Sequence, residues 1–263
     1  MPSPDAIAPR QLAKLVGTPD APAIIDVRIE EDRGAHPRRL PGAIRHPFTD
    51  VEALAPPLAG RRAVVVCEGG LKISQGAAAL LRGAGVAAEV LEGGHAAWRE
   101  AGLPLLSAEA PEPPTRWVTR HRPKVDRIAV PWLVRRFVDP RARILYVAPG
   151  EVAAVAERFR AIPFDAEGAA LGPREGRCAF DAALAWLGLD GEPALQRVAA
   201  IVRAADRGRP GEVPEAAGLL AASLGLSRMH RDDLAQLEAG MTLYDALYRW
   251  ARDARDETHG PHA

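Results

Sequence analysis

Cys67 is the residue in this 263-residue chain best placed for nucleophilic chemistry. The stretch Arg61 to Leu81 reads RRAVVVCEGGLKISQGAAALL. A short apolar run, Ala63 to Val66, ends at the cysteine. Gly69 and Gly70 follow, and an alanine-rich amphipathic segment starts near Leu71. The order predicts strand, tight loop and helix, with the thiol at the first loop position. There it faces the loop amides and the positive end of the next helix, both of which favour thiolate, the nucleophilic form. Glycines let the backbone of Glu68, Gly69, Gly70, Leu71 and Lys72 curl around an anion, and Lys72 adds a positive charge. Asp26 and Arg28 end another short apolar run, where a parallel sheet gathers its sites. Arg28 either helps hold the anion or pairs with Asp26. In the second half His121, Arg122, Lys124, Arg127, Arg135 and Arg136 form a basic cluster. Lys124, Arg127, Arg135 and Arg136 are the candidates there for an oxyanion site, against the plainer reading of a solvated helix face. Cys178 reads as a packed core thiol, and no metal site is expected.

The elements that must position Cys67 alternate between strand and helix. The spacing predicts a helix over Pro9 to Val16, strands at Ala23 to Val27 and Ala43 to Arg45, and a polar loop over Glu30 to Arg39. A helix over Val51 to Leu58 and the Cys67 strand follow. After the helix from Leu71 to Arg82 come a strand at Ala87 to Leu91, a Gly93-Gly94 turn and a helix holding Trp98. This is α/β architecture, a mainly parallel sheet with helices on both faces. Pro104 to Thr115 is proline-rich, so the boundaries are set at 1–107 for the first domain, 108–115 for a linker and 116–256 for the second, with a frayed tail at 257–263. The second domain is expected to be mostly α-helical, α+β, with strands near Trp117 and Ile144. Its helices cover Val125 to Phe137, Glu151 to Arg158, Ala179 to Leu187, Pro193 to Ala205, Ala216 to Leu224 and Asp232 to Ala254. Trp132, Trp186 and Trp250 are read as core residues.

Thirty-four basic side chains balance thirty-four acidic ones, so nothing in the overall charge calls for nucleic acid or a membrane surface. No run reaches the roughly 20 apolar residues of a membrane span. Two cysteines, far apart, argue against a disulfide framework and suit a reducing cytoplasm.

Beyond these readings, the first hundred residues resemble a single rhodanese domain. The resemblance is carried by Asp26 and Arg28, the turn Pro41-Gly42-Ala43, the loop CEGGLK and the tail LEGGHAAWREAGLPL. It implies a sulfurtransferase in which Cys67 accepts a sulfane sulfur as a persulfide. Thiosulfate or a persulfide would be the small donor, and a thiol or cyanide the acceptor, with no cofactor. Residues 68 to 72 would cradle the donor. Two positions depart from the pattern: Ile73 follows Lys72, with serine only at Ser74, and Arg39 precedes the Leu-Pro-Gly-Ala turn. From Arg116 to Asp253 the chain resembles the C-terminal domain of the ChrB-type chromate-resistance proteins. RWVTRHRPKVDRIAVPWLVRRFVDP, IPFD, CAFDA, AAIVRAAD, GLLAASLGLS and MTLYDALYRW carry that likeness. It implies a link to chromate, and an alternative function as a chromate- or metal-responsive sensor or transcriptional regulator with a non-catalytic first domain. Where many relatives have histidine, this chain has Pro173-Arg174 and Arg203.

Overall fold

Short apolar runs flanked by turn residues make strands, and the first unit is built around five of them, of which Ala23–Asp26 and Ala63–Val66 are buried on both faces. The computed structural model describes residues 5–174, 176–254 and 257. The chain divides into two units. One runs to Pro114 and takes in Val134–Arg141; the other comprises Thr115–Leu133 and the chain from Ala142 onward.

In the first unit the order is β1 (Ala6–Ile7), α1 (Pro9–Leu15), β2 (Ala23–Asp26), α2 (Glu30–Ala35), β3 (Ala43–Arg45), β4 (Arg62–Val66), α3 (Lys72–Gly83), β5 (Ala87–Leu91) and α4 (Gly94–Glu100). All neighbouring strands pair in parallel, in the spatial order β1-β5-β4-β2-β3. The chain leaves β2 for one side of the sheet and β4 for the other, so the order reverses between them. Asp26 lies level with Val66 across that pair. A crevice at the carboxyl ends of such strands is the usual ligand position, and Cys67 is the first residue beyond β4. Ala63, Val65 and Cys67 alternate onto the face covered by Ala77, Ala78 and Leu81 of α3. Burial of that face is the main stabilising term for the sheet.

Three expectations change. Residues 30–35 form α2 rather than a loop; the helix buries none of its side chains, so it leaves no apolar period to read. Residues 48–58 form two 3-10 segments instead of one α-helix, because Pro56 and Pro57 break the ladder. The expected linker is not free. Leu105, Leu106 and Ala110 are buried, and buried Arg39 donates to the carbonyls of Ala110 and Pro111 at 2.9 and 2.5 Å. Arg38 donates to Leu105 O at 2.7 Å. The expected fray at residues 257–263 lies almost wholly outside the described residues.

The second unit is mostly helical with a small sheet. Its elements are β6 (Arg116–Arg120), α5 (Asp126–Phe137), β7 (Arg143–Val147), α6 (Val152–Phe159), β8 (Ile162–Pro163), α7 (Ala179–Leu187), α8 (Pro193–Asp206), α9 (Glu215–Met229) and α10 (Asp233–Arg249). The three strands are parallel in the order β7-β6-β8. Trp132 is fully buried against Phe180, Tyr244 and Tyr248, with ring centroids 5.5 to 6.4 Å apart. Trp186 and Trp250 are only half-buried. Pro131 sits inside α5 and cannot donate to the carbonyl four residues back. That carbonyl, on Arg127, instead accepts from the Tyr146 hydroxyl at 2.8 Å. α9 runs straight through Gly218 and Gly225, at neither of which a Cβ would meet anything.

Candidate active site

Cys67 has 4 % of its surface exposed. What surrounds it is decided by where the loop's backbone groups point. The Cys67 carbonyl accepts from His95 N–H at 2.9 Å, and the Glu68 carbonyl from Ala96 N–H at 2.9 Å. The first turn of α4 thus takes the carbonyls on one side of the loop. Among the described residues, no backbone acceptor takes the N–H of Glu68, Gly69, Gly70 or Leu71. Successive backbone amides left without a carbonyl partner are groups that can receive an anion. Glycine is required where α4 meets the loop. Gly70 has φ 67°, and a Cβ there would stand 2.6 Å from Leu91 O. Gly94 has φ 60°, and its Cβ would collide with the Cys67 carbonyl and Gly70 N. Left-handed backbone and lack of room both exclude a side chain.

Ser74 faces the sulfur from the first turn of α3. The Cys67 thiol donates to Ser74 Oγ at 3.1 Å, and that hydroxyl donates to Leu71 O at 3.2 Å. Gly69, Leu71 and Lys72 are exposed at the rim, Leu71 by 65 %. The Glu68 side chain lies within 3.9 Å of Arg28 and His36, 3.6 Å of Arg99 and 3.3 Å of His95 Nδ1. His95 is fully buried, and its Nε2 donates to Arg38 O at 2.9 Å. Burial, then the Arg28 charge, hold its pKa down at about 4. The Glu68 carboxylate favours the charged ring, but neither Nδ1 nor Glu68 Oε2 has a hydrogen-bond partner, and desolvation prevails.

Of the expected site residues, Cys67, Glu68, Gly69, Gly70, Leu71 and Lys72 run consecutively from the end of β4 to the start of α3, with Gly69, Leu71 and Lys72 exposed. Arg28 does not serve as a free anion ligand. Its Nε reaches both Asp26 oxygens at 3.0 Å, Nη2 reaches Asp26 Oδ2 and Arg38 O, and Nη1 reaches His36 O. The guanidinium is a buried clamp on the loop after β2. Ser74, His95 and the α4 amides were not singled out in the sequence. The signal available was the GGHAAW run, a turn and helix start directly after a strand.

The four basic candidates of the second half are not assembled into one site. Lys124 is exposed ahead of α5. Arg127 points to Asp165, with Nε 3.2 Å from Oδ2, and donates to His121 O at 2.8 Å. Arg135 and Arg136 stand in the last turn of α5, about 12 Å of helical rise beyond Arg127, and fall in the segment grouped with the first unit.

Cys178 is fully buried immediately before α7. Its own N–H donates to Asp181 Oδ2 at 2.9 Å, and the next amide, Ala179, donates to Asp126 Oδ2 at 2.6 Å. Burial and the charges of Asp126 and Asp181 push its thiol pKa far up.

Two family models match. Residues 8–101 match the rhodanese-like domain and residues 117–251 match ChrB, C-terminal domain. Protein ChrB of Cupriavidus metallidurans is 36 % identical over 139 residues, covering 51 % of this chain and 40 % of that protein. The chain therefore spans less than half the length of the curated relative it matches. Among solved structures, a rhodanese-like domain protein from Staphylococcus aureus is 25 % identical, covering 39 % of this chain and 99 % of that one, with a TM-score of 0.34. Thiosulfate sulfurtransferase from Pseudomonas aeruginosa is 28 % identical, covering 40 % and 19 %, with a TM-score of 0.33. An As-Sb reductase from Leishmania major is 25 % identical, covering 36 % of this chain and 77 % of that one, with a TM-score of 0.32. With the parallel sheet and the Cys67 loop in place, the chain belongs to the ChrB C-terminal domain family and carries a rhodanese-like domain ahead of that region.

Proposed function

We propose that this protein is a sulfurtransferase that carries a sulfane sulfur on Cys67. The observation that supports this most is the set of open amides at Glu68 to Leu71 beside the sulfur, left open because α4 takes the loop carbonyls instead. In the proposed reaction the Cys67 thiolate attacks the outer sulfur of thiosulfate. The new bond joins Sγ to that sulfur, the sulfur–sulfur bond of thiosulfate breaks, and sulfite leaves with the electron pair. The persulfide's negative outer sulfur lies among the amides, which are arranged before the charge develops. Cyanide or a thiolate then attacks the outer sulfur, and the Cys67 thiolate is the leaving group. No electron acceptor is needed. The deep position of the sulfur fits a slim donor rather than a bulky one, and exposed Lys72 adds attraction for an anion. The ChrB C-terminal domain in the same chain supports reading this sulfur chemistry as serving chromate resistance.

Incubation with thiosulfate and cyanide is expected to yield thiocyanate, and mass spectrometry of the donor-treated protein a gain of one sulfur on the Cys67 peptide. Cys67→Ala should abolish both. Wild-type protein that forms neither product with thiosulfate or with glutathione persulfide would sink the proposal.

A further inference from the structure

An open cavity of about 590 Å³ in the second unit is lined by Arg116, Arg143, Leu145, Arg158, Phe159 and Arg160. Four of the six are arginine and none is acidic. Arg116 and Arg143 lie directly opposite each other on β6 and β7. Like charges in register oppose strand pairing. Leu145 is two residues beyond Arg143 and so shares its face. Arg158 and Arg160 come from the end of α6. Among the described residues, no side-chain partner meets Arg143, Arg158 or Arg160. Glu157 is adjacent in sequence to Arg158 but does not line the cavity.

The carbonyl end of a helix would ordinarily repel an anion. Here three of the last four carbonyls have partners. Arg160 and Ala161 N–H groups take Ala156 O and Glu157 O. Arg116 Nη1 takes Phe159 O at 3.2 Å, which also fastens the α6 end to β6. The cavity is lined by the side chains of four arginines, Leu145 and an exposed ring, Phe159 at 53 %. A bare tetrahedral ion would fill little of this space, whose size lies within the roughly 300 to 1,000 Å³ of small-molecule sites. Guanidinium forks match phosphate oxygens in pairs, and an aromatic face stacks on a flat base.

We propose that the four-arginine cavity between β6, β7 and the end of α6 binds a nucleoside polyphosphate, its phosphates on the arginines and its base against Phe159. The proposal is independent of the Cys67 chemistry. Isothermal titration of the full chain with ATP, without added metal, tests it. Saturable binding is expected, with no detectable heat from adenosine and much weaker binding of inorganic phosphate. Arg160→Gly removes one guanidinium while giving glycine to a position at φ 50°, which glycine favours. Its thermal midpoint should therefore not fall, while ATP affinity drops about tenfold. Arg143→Gln should act alike, and Cys67→Ala should leave ATP binding unchanged. Absence of saturable binding would overturn the proposal. So would inorganic phosphate binding as tightly as ATP, affinity unchanged in both arginine variants, or a single-stranded oligonucleotide binding far more tightly than ATP.

Discussion

The two cysteines make a controlled pair. Each is buried and each lies at or near the entrance to a helix, so burial and helix position alone predict the same thiol twice. The difference lies in which groups receive the nearby amides. At Cys178 the first amides go to carboxylates, Cys178 N–H to Asp181 and Ala179 N–H to Asp126. Burial first, and those acidic side chains after it, oppose a negative sulfur. At Cys67 the α4 amides take the loop carbonyls, and the loop's own amides stay open to a developing charge. Helix-end electrostatics serve a nucleophile only when no carboxylate already occupies them.

The largest expected effect tests this contrast directly. Iodoacetamide should label Cys67 in the native protein and Cys178 only after denaturation, with rates differing by at least about a hundredfold. Native labelling of Cys178 at a comparable rate would break the comparison. Next comes Gly94→Ala, which forces a methyl group into the Cys67 carbonyl and holds alanine at a left-handed φ. A loss of about 3 kcal/mol is expected in denaturant unfolding of the first unit, with sulfur transfer falling in step. Wild-type stability in this variant would mean that the α4 contact does not shape the loop.

The two units should also respond oppositely to pH. His95 in the folded first unit has its pKa near 4 against about 6.5 unfolded. The unfolded chain binds the extra proton, so stability present above pH 6.5 is lost as pH falls toward 4, by at most about 3 kcal/mol. Asp126 in the second unit is fully buried, with one oxygen unpartnered. Burial, with Asp206 and Asp165 nearby, pushes its pKa well above the carboxylate range. There the folded state holds the extra proton, so stability falls as pH rises above about 4, at up to about 1.4 kcal/mol per pH unit until the folded value is passed. Hydrogen exchange resolved by peptide should show α4 loosening toward acid and the α5–α7 contact loosening toward neutral pH. Asp126→Asn should flatten only the second trend. The smallest effect belongs to Ser74→Ala. Losing one hydroxyl at 3.1 Å from the sulfur should slow turnover about tenfold, with the fold intact by circular dichroism. An unchanged rate would leave the hydroxyl a packing group.

The Cys67 loop was legible because a short apolar run, a cysteine, two glycines and a helical period follow one another in sequence. Its electrostatic arrangement was not, because it depends on amides of His95 and Ala96, far along the chain from Cys67. Arg28 shows the same limit. Its position at a strand end was readable, but the carbonyls of His36 and Arg38 that complete its clamp are set by how the chain turns after α2. The exact bounds of α7 followed from its apolar period and Gly188. By contrast β8 has two residues and no period at all. The arginine cavity was invisible because its residues come from three separate segments, and the basic run that was visible divides along α5.

The Arg38 and Arg39 clamp on the segment from Leu105 to Pro111 bears on how this unit can be cut out and reused. A fragment ending after α4, where the rhodanese-like match ends, would strip Leu105, Leu106 and Ala110 from the surface they cover and take away the two carbonyls to which the Arg39 guanidinium donates. A transplantable module has to carry its own exit strap, and a cut after Pro114 keeps that strap but loses Val134–Arg141, which belongs to the same unit.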